Sequence, residues 1–390
     1  MPAVYLDNAT TTRLDPAVFS AMLPFLEEGF ASPDSPHSEG RRVRNAMENA
    51  RQEVARLAGC RAEEIIFTAS ASEANNLALK GCFRARGRGW SRILISSVEH
   101  VSVWHPARSL ASEGAVLVEA PVDSCGTLDP GDLGDLLRAR TGLVSILHGN
   151  PEIGTLQPVR ELCRIAKEQG ALFHTDATLT AGLFPGLWQE TQADLMTISP
   201  HLFHGPKGIA ALLVRQGTRL QPQIEGGIQE GGRRAGTQLV ALAVGFGKAA
   251  RMAREAAPGR AVALRQLGDG LNRRLIETIS DWVSTGDPEH RVPGHLSLCV
   301  RYVEGEAIVG LLDDSGIQAG SGSACTRGAG KPSHVLRAVG VDPIVARGAL
   351  EFCFSRFNTT QDAQEVARVL PGIVERLRRL SPIAPQLPLS

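Results

Sequence analysis

The 390-residue chain predicts an α/β fold, a mainly parallel seven-stranded sheet covered by helices, with a smaller α+β C-terminal domain. Three observations predict it. Short apolar runs alternate with helical stretches over most of the length. The runs are short and mainly apolar, which suits strands buried on both faces. Their order, strand then helix then strand, is that of a parallel sheet with helical crossovers.

The seven runs are Glu64–Thr68, Arg92–Ser96, Ala115–Ala120, Leu143–Leu147, Ala171–His174, Leu195–Ile198 and Ile209–Val214. Helical stretches lie between several of them, at Ser72–Arg86 and Val159–Gln169. Gly226–Gly236 is glycine-rich and reads as a loop, and Thr237–Ala256 reads as a long helix. From about Arg260 the pattern becomes helix, strand, helix, strand, ending in an amphipathic helix near Asp362–Leu380 and a proline-bearing tail. A large domain over 15–258 and a small one over 259–390 follow, with residues 1–14 packing on the small one.

Composition excludes several classes. Forty-one basic residues balance 41 acidic ones, which gives no electrostatic reason for a nucleic-acid or membrane partner. No apolar run approaches the ~18 residues of a membrane helix. The start, Met1–Asp7, runs into a strand-like pattern without an export signal. The seven cysteines include no CxxC pair, so no zinc ribbon is suggested and no metal site is expected from spacing. An odd cysteine count without an export signal fits reduced thiols and a cytoplasmic location.

Several polar residues fall at the ends of apolar runs, where ligands gather in α/β sheets. Ser70, Ala71 and Ser72 follow one run and open a helix, where backbone N–H groups and hydroxyls favour an anion. The same residues also suit a plain helix cap. Ser199 and His201 follow another run, and Arg234–Thr237 forms a third polar turn before a helix. His100 and Asp176 each end a strand, where a structural histidine and a turn aspartate are also at home. Gly320–His334 is a Gly- and Ser-rich stretch carrying Cys325 and Arg327, and it lacks core periodicity. The neighbouring arginine favours a thiolate.

These segments together, from Tyr5–Thr11 to the last helix, resemble the cysteine desulfurases of the NifS/IscS type. These are class-V aminotransferase-like enzymes of the pyridoxal-phosphate (PLP) fold type I. The resemblance implies a phosphate cup of Ala71, Ser72, Ser199 and His201, completed by Thr237 from a second subunit, hence a homodimer. It implies that His100 stacks on the cofactor ring and acts in acid-base chemistry. Asp176 would pair with the pyridine nitrogen and make the ring an electron sink. Arg356 would clamp a substrate carboxylate, and Cys325 would be the sulfur-accepting thiol on a mobile loop.

The sequence departs from that pattern on one side of the cofactor. The family's segment reads Ser-x-His-Lys, with the lysine in Schiff-base linkage to PLP, whereas here the run is Ser199-Pro200-His201-Leu202. Leu179 stands for a glutamine, Pro151 for an asparagine and Ser32 for another asparagine. Leu202, Leu179 and Pro151 are apolar, so they leave no buried partner unpaired at a cost of about 1–3 kcal/mol each. Lys207, five residues on, lies in a Gly-Pro-Lys-Gly turn that the family has alongside its own lysine, and is not expected to substitute.

The expectation is therefore a desulfurase-like homodimer in sulfur transfer or iron–sulfur cluster assembly, with PLP non-covalent, weak or absent. It would be deficient in L-cysteine desulfuration. Cys325 would accept persulfide or ligate a shared iron–sulfur cluster on an IscU-like scaffold. Two other readings stay open. One is an active enzyme using non-covalent PLP. The other is a non-enzymatic module that binds a phosphate ligand or regulates a true desulfurase by pairing with it.

Overall fold

The structure is a computed structural model, and it describes residues 3–86, 91–322, 333–382 and 384. Its strands are β1 (Val4–Tyr5), β2 (Ile65–Thr68), β3 (Arg92–Ser96), β4 (Val116–Ala120), β5 (Leu143–Ser145), β6 (Leu172–Asp176), β7 (Leu195–Ile198), β8 (Ala210–Val214), β9 (Trp282–Ser284), β10 (His295–Val300), β11 (Ile317–Gln318) and β12 (Ala349–Cys353). The seven apolar runs all become strands of one sheet, in the order β2-β8-β7-β6-β5-β3-β4. β8 is antiparallel to both its neighbours, and every other pairing is parallel. β2 therefore points the same way as β3 to β7. The residues that follow β2, β3, β5, β6 and β7 thus meet along one edge of the sheet.

The uniformly apolar runs are explained by cover on both faces. Val18, Val43, Met47, Phe67, Ile198 and Phe246 share one cluster. Ile66, Ile93, Ile95, Leu110 and Leu212 share another, in which Ile66 and Leu212 alternate with Ile65, Phe67, Ala211 and Leu213 of the first. β-Branched side chains pack well on such pleated surfaces.

Two helices differ from the sequence expectation. The stretch 72–86 is interrupted: Ala71–Asn76 is α-helical, Leu77–Gly81 is a π-helical turn, and Cys82–Arg86 resumes the α-helix. Gly81 accounts for part of this. A Cβ there would lie 3.0 Å from the carbonyl of Gln221, so the helix approaches that strand-end loop closely. The helix expected at 237–256 instead runs over Val240–Thr278, straight through Pro258. Pro258 is exposed, so its ring displaces no packed neighbour. Both halves of the helix are anchored. Ala243, Phe246 and Ala250 sit in the cluster beneath the large sheet, and Leu264, Leu271 and Leu275 sit with the C-terminal strands. Tertiary packing of an amphipathic helix outweighs one proline when both sides of it are held.

The C-terminal strands form a three-stranded antiparallel sheet, β12-β10-β9, beside the parallel pair β1-β11. The first residues join this end of the molecule: Asn8 Nδ2 donates to the Cys353 carbonyl at 2.7 Å. The chain then crosses to the large sheet, where Thr12 Oγ1 donates to the His201 carbonyl at 2.7 Å. The last helix, Thr360–Leu380, starts with a Thr359/Asp362 capping box. Among the described residues no helix is long and apolar enough to cross a membrane.

Candidate active site

A cavity of about 390 Å³ opens at the edge where the strand ends meet. Its wall takes Ser70, Ala71 and Ser72 from the turn after β2, Glu99 and His100 from the turn after β3, and Asn150, Pro151 and Glu152 from the turn after β5. Asp176 and Thr178 come from the end of β6, and His201 and Leu202 from the turn after β7. Leu179, His334 and Glu351 complete it. Local chemistry makes each turn. Ser70 caps the Ala71–Asn76 helix by accepting from Glu73 N, and His100 caps Val101–Ser112 by accepting from Ser102 N. Asn150 accepts from the backbone N–H groups of Glu152 and Ile153, which holds that turn tight.

Asp176 is buried, and each of its oxygens accepts one hydrogen bond. One oxygen accepts from Asn75 Nδ2 at 2.7 Å and the other from Thr178 N at 2.9 Å. A carboxylate offers about four acceptor positions, so it can still take a proton donor from a ligand. Asn75 Nδ2 also reaches Ser102 Oγ, which in turn bonds His100 Nδ1 at 2.7 Å. A continuous network thus joins the carboxylate to the imidazole. Burial lowers the His100 pKa, which Asp176 opposes and His334 reinforces. His201 is lowered too, by burial first and by Lys207 second. Both rings are therefore biased to the neutral form.

Three further carboxyls on this wall are not singled out by the sequence. Glu99 has zero exposed surface; its Oε1 accepts from Ser96 Oγ at 2.7 Å and from Leu147 N at 2.8 Å, while its Oε2 has no partner. Burial pushes its pKa up to about 8. Glu152 is likewise pushed by burial to about 8, and its Oε1 is unpaired. Glu351 is raised well above the ordinary value by burial, then by Glu152 and Asp7. The pair closes on Gly322. A Cβ there would lie 3.0 Å from Glu152 Oε1 and 3.3 Å from Glu351 Oε1. The one available signal was an acid inside an apolar strand, Ala349-Leu350-Glu351-Phe352-Cys353.

The burial of Glu99 has a measurable consequence. Between the ordinary 4.5 and about 8, the folded protein holds a proton that the unfolded chain has lost. The stability this proton carries is complete below about 4.5 and is lost as pH rises to about 8. Replacing Glu99 with Gln removes that dependence, so thermal melts at pH 6 and pH 9 should show the variant gaining on the native protein at the higher pH. A pH-independent gap would refute the buried-proton account.

Other residues of interest lie elsewhere. Ser199 is buried beside the cavity, and its Oγ donates to the Ile209 carbonyl at 3.2 Å. Thr237 is exposed and away from this cavity. Ser32 is exposed and accepts from Asp34 N within its turn. Lys207 Nζ donates to the Thr12 carbonyl at 3.2 Å and does not line the cavity. Arg356 pairs with the buried Asp15 carboxylate at 2.6 Å and lines a second, smaller cavity. Leu179 and Leu202 line both cavities, so the two leucines stand between Arg356 and Asp176. Cys325 and Arg327 lie outside the described residues. Among the described residues, no lysine or arginine lines the main cavity and no cluster suited to a metal ion occurs.

The aminotransferase class-V family matches residues 4–366. The chain belongs to that family. It is 42% identical over 379 residues to a cysteine desulfurase IscS of Dictyoglomus turgidum, covering 97% of this chain and 96% of that one. It is 39% identical over 383 residues to the cysteine desulfurase NifS of Azotobacter vinelandii, covering 98% and 95%. A solved NifS-like protein superposes with a TM-score of 0.90 at 32% identity, covering 96% of this chain and all of that one. These homologues support a sulfur-transfer role, and this class-V family implies PLP as cofactor.

The donor set fits that cofactor in part. The cavity supplies hydroxyls, imidazoles and the Asp176 carboxylate, which suit a phosphate and a protonated ring nitrogen. It supplies no amine among the described residues.

Proposed function

We propose that this class-V protein is a cysteine-desulfurase-like homodimer in sulfur transfer or iron–sulfur cluster assembly, with its Schiff-base chemistry impaired or lost. The observation that carries this reading is the wall of the main cavity: Leu202 and Leu179 where the resemblance asks for lysine and glutamine, with no other amine among the described lining residues. When bound, PLP supplies an electron sink. Asp176 would hold the ring-nitrogen proton, His100 would lie against the ring, and Ala71, Ser72, Ser199 and His201 would take the phosphate. Thr237 would complete the cup from a partner subunit. Its exposure supports that reading, as do Phe30 and Ile228, which are 87% and 86% exposed on segments joined by a Gln229–Asp34 hydrogen bond.

In this reading the large domain spans 15–258 and the small one 1–14 plus 259–390. Cys325 would accept persulfide from another donor or lend its thiolate to a cluster on an IscU-like scaffold, in the cytoplasm. Arg356 would hold a substrate carboxylate only after leaving Asp15, and the leucine pair separates it from Asp176. That arrangement favours impaired turnover over an active enzyme with non-covalent cofactor.

Borohydride treatment followed by peptide mapping tests the proposal. We expect no pyridoxyl-modified lysine after incubation with PLP, and no visible absorbance band of a lysine-bound cofactor. A lysine carrying the reduced cofactor would overturn it.

A further inference from the structure

The main cavity has an unusual charge inventory for a site that the resemblance assigns to an amino acid. Four carboxyls line it, from Glu99, Glu152, Asp176 and Glu351, and no arginine or lysine does among the described residues. Asp176 is satisfied by Asn75 and Thr178, whereas Glu99 and Glu152 each keep one oxygen without a partner. Glu99 is wholly buried with Oε2 unpaired, and Glu152 Oε1 is also unpaired. Unpaired acceptors lining one cavity call for a donor from a ligand. Glu152 and Glu351 face one another across Gly322, which has no Cβ to separate them. A cation between two such carboxyls relieves their repulsion and makes charge-assisted hydrogen bonds. The guanidinium that could have attracted a carboxylate, Arg356, is held by Asp15 behind Leu179 and Leu202.

We propose that Glu99, Glu152 and Glu351 make this cavity a site for a ligand bearing a primary ammonium group, so that the vitamin B6 phosphate it prefers is the amine, pyridoxamine 5′-phosphate, over the aldehyde. This rests on the reading that the cavity holds such a phosphate without a covalent bond. The two fit together. An aldehyde gains from a lysine, which is missing among the described residues of this wall, and an ammonium gains from carboxylates, which this wall has. The other titratable groups facing the site are Asp176, His100, His201 and His334, with Asp7 behind Glu351. In the absence of a cation Glu99 and Glu152 hold their protons to about pH 8. Ammonium binding must therefore displace protons, and it strengthens as pH rises from 6 towards 8.

The test compares binding of pyridoxamine 5′-phosphate, pyridoxine 5′-phosphate and PLP to the full chain by calorimetry. The alcohol is a neutral match for the amine in size, and all three share the phosphate. We expect the amine to bind about tenfold or more tightly than the alcohol. That ratio should shrink at pH 6, and shrink again in Glu152→Gln and Glu351→Gln. The native-protein pH series needs no variant to fold. If amine and alcohol bind equally at every pH, the ammonium site is refuted while the non-covalent cofactor reading stands. If none of the three binds, both fail together. Tighter binding of PLP than of the amine would also overturn the proposal.

Discussion

Given PLP and L-cysteine, the purified protein should release sulfide at least about 10²–10⁴-fold more slowly than a desulfurase that carries the lysine. That range is what positioned acid-base catalysis alone contributes, before any gain from a covalent step. The cause lies in the cavity wall. Leu202 can neither hold nor move a proton, and the imidazoles nearby are biased neutral but carry no nucleophilic amine. Replacing Leu202 with Lys should restore part of the visible colour and borohydride-sensitive labelling. It should restore little activity, because Leu179 and Pro151 remain apolar and Arg356 stays behind Leu179, held by Asp15. The readouts are sulfide release and absorbance on the same preparations. Native-protein turnover that matches a lysine-bearing desulfurase would end the account.

The second large effect concerns stability. Glu230→Ala should cost about 3–5 kcal/mol in a denaturant melt, the usual penalty for stripping one partner from a buried ion pair. Arg51 Nη1 and Nη2 meet the two Glu230 oxygens at 2.8 and 2.9 Å, with side-chain exposures of only 10% and 4%. Phe67 N also donates to Glu230 Oε2 at 2.9 Å, and the Arg51 guanidinium lies 4.5 Å from the Phe67 ring centroid. Burial alone would lower the Arg51 pKa, but the Glu230 hydrogen bonds outweigh it and the pKa is raised. The pair also holds Glu230 at a φ of +50°, a left-handed conformation that non-glycine residues hold only when contacts enforce it. Removing the carboxylate should therefore loosen the 226–237 loop that carries Thr237. Arg51 Nε also meets Glu48 at 3.2 Å, so a loss below about 1 kcal/mol would show that Glu48 alone balances the guanidinium and that the loop is held by something else.

Most of the seven strands were readable because a doubly covered strand needs a largely apolar run, while β4, at the sheet edge, leaves Val116 and Glu119 exposed. His100 and Asp176 were readable because strand ends on one sheet edge share a ligand site. The long helix was misjudged because local propensity penalises Pro258, while the packing of Phe246 and Leu271 on either side of it cannot be seen locally. The carboxyl wall was not readable either. Glu99, Glu152 and Glu351 are far apart along the chain, and although Glu99 adjoins His100 and Glu152 adjoins Pro151, only the fold shows that the three acids share a cavity.

Residue order alone settled which sheet forms and that no side chain at position 202 can make an imine, because both depend on local chemistry: apolar runs bury and a hydrocarbon has no nitrogen. Only the folded arrangement decided that two leucines divide Arg356 from Asp176 and that Glu99, Glu152 and Glu351 face one cavity. Burial and mutual distance set a carboxyl's protonation and a guanidinium's reach, and both are properties of neighbours brought together from distant parts of the chain.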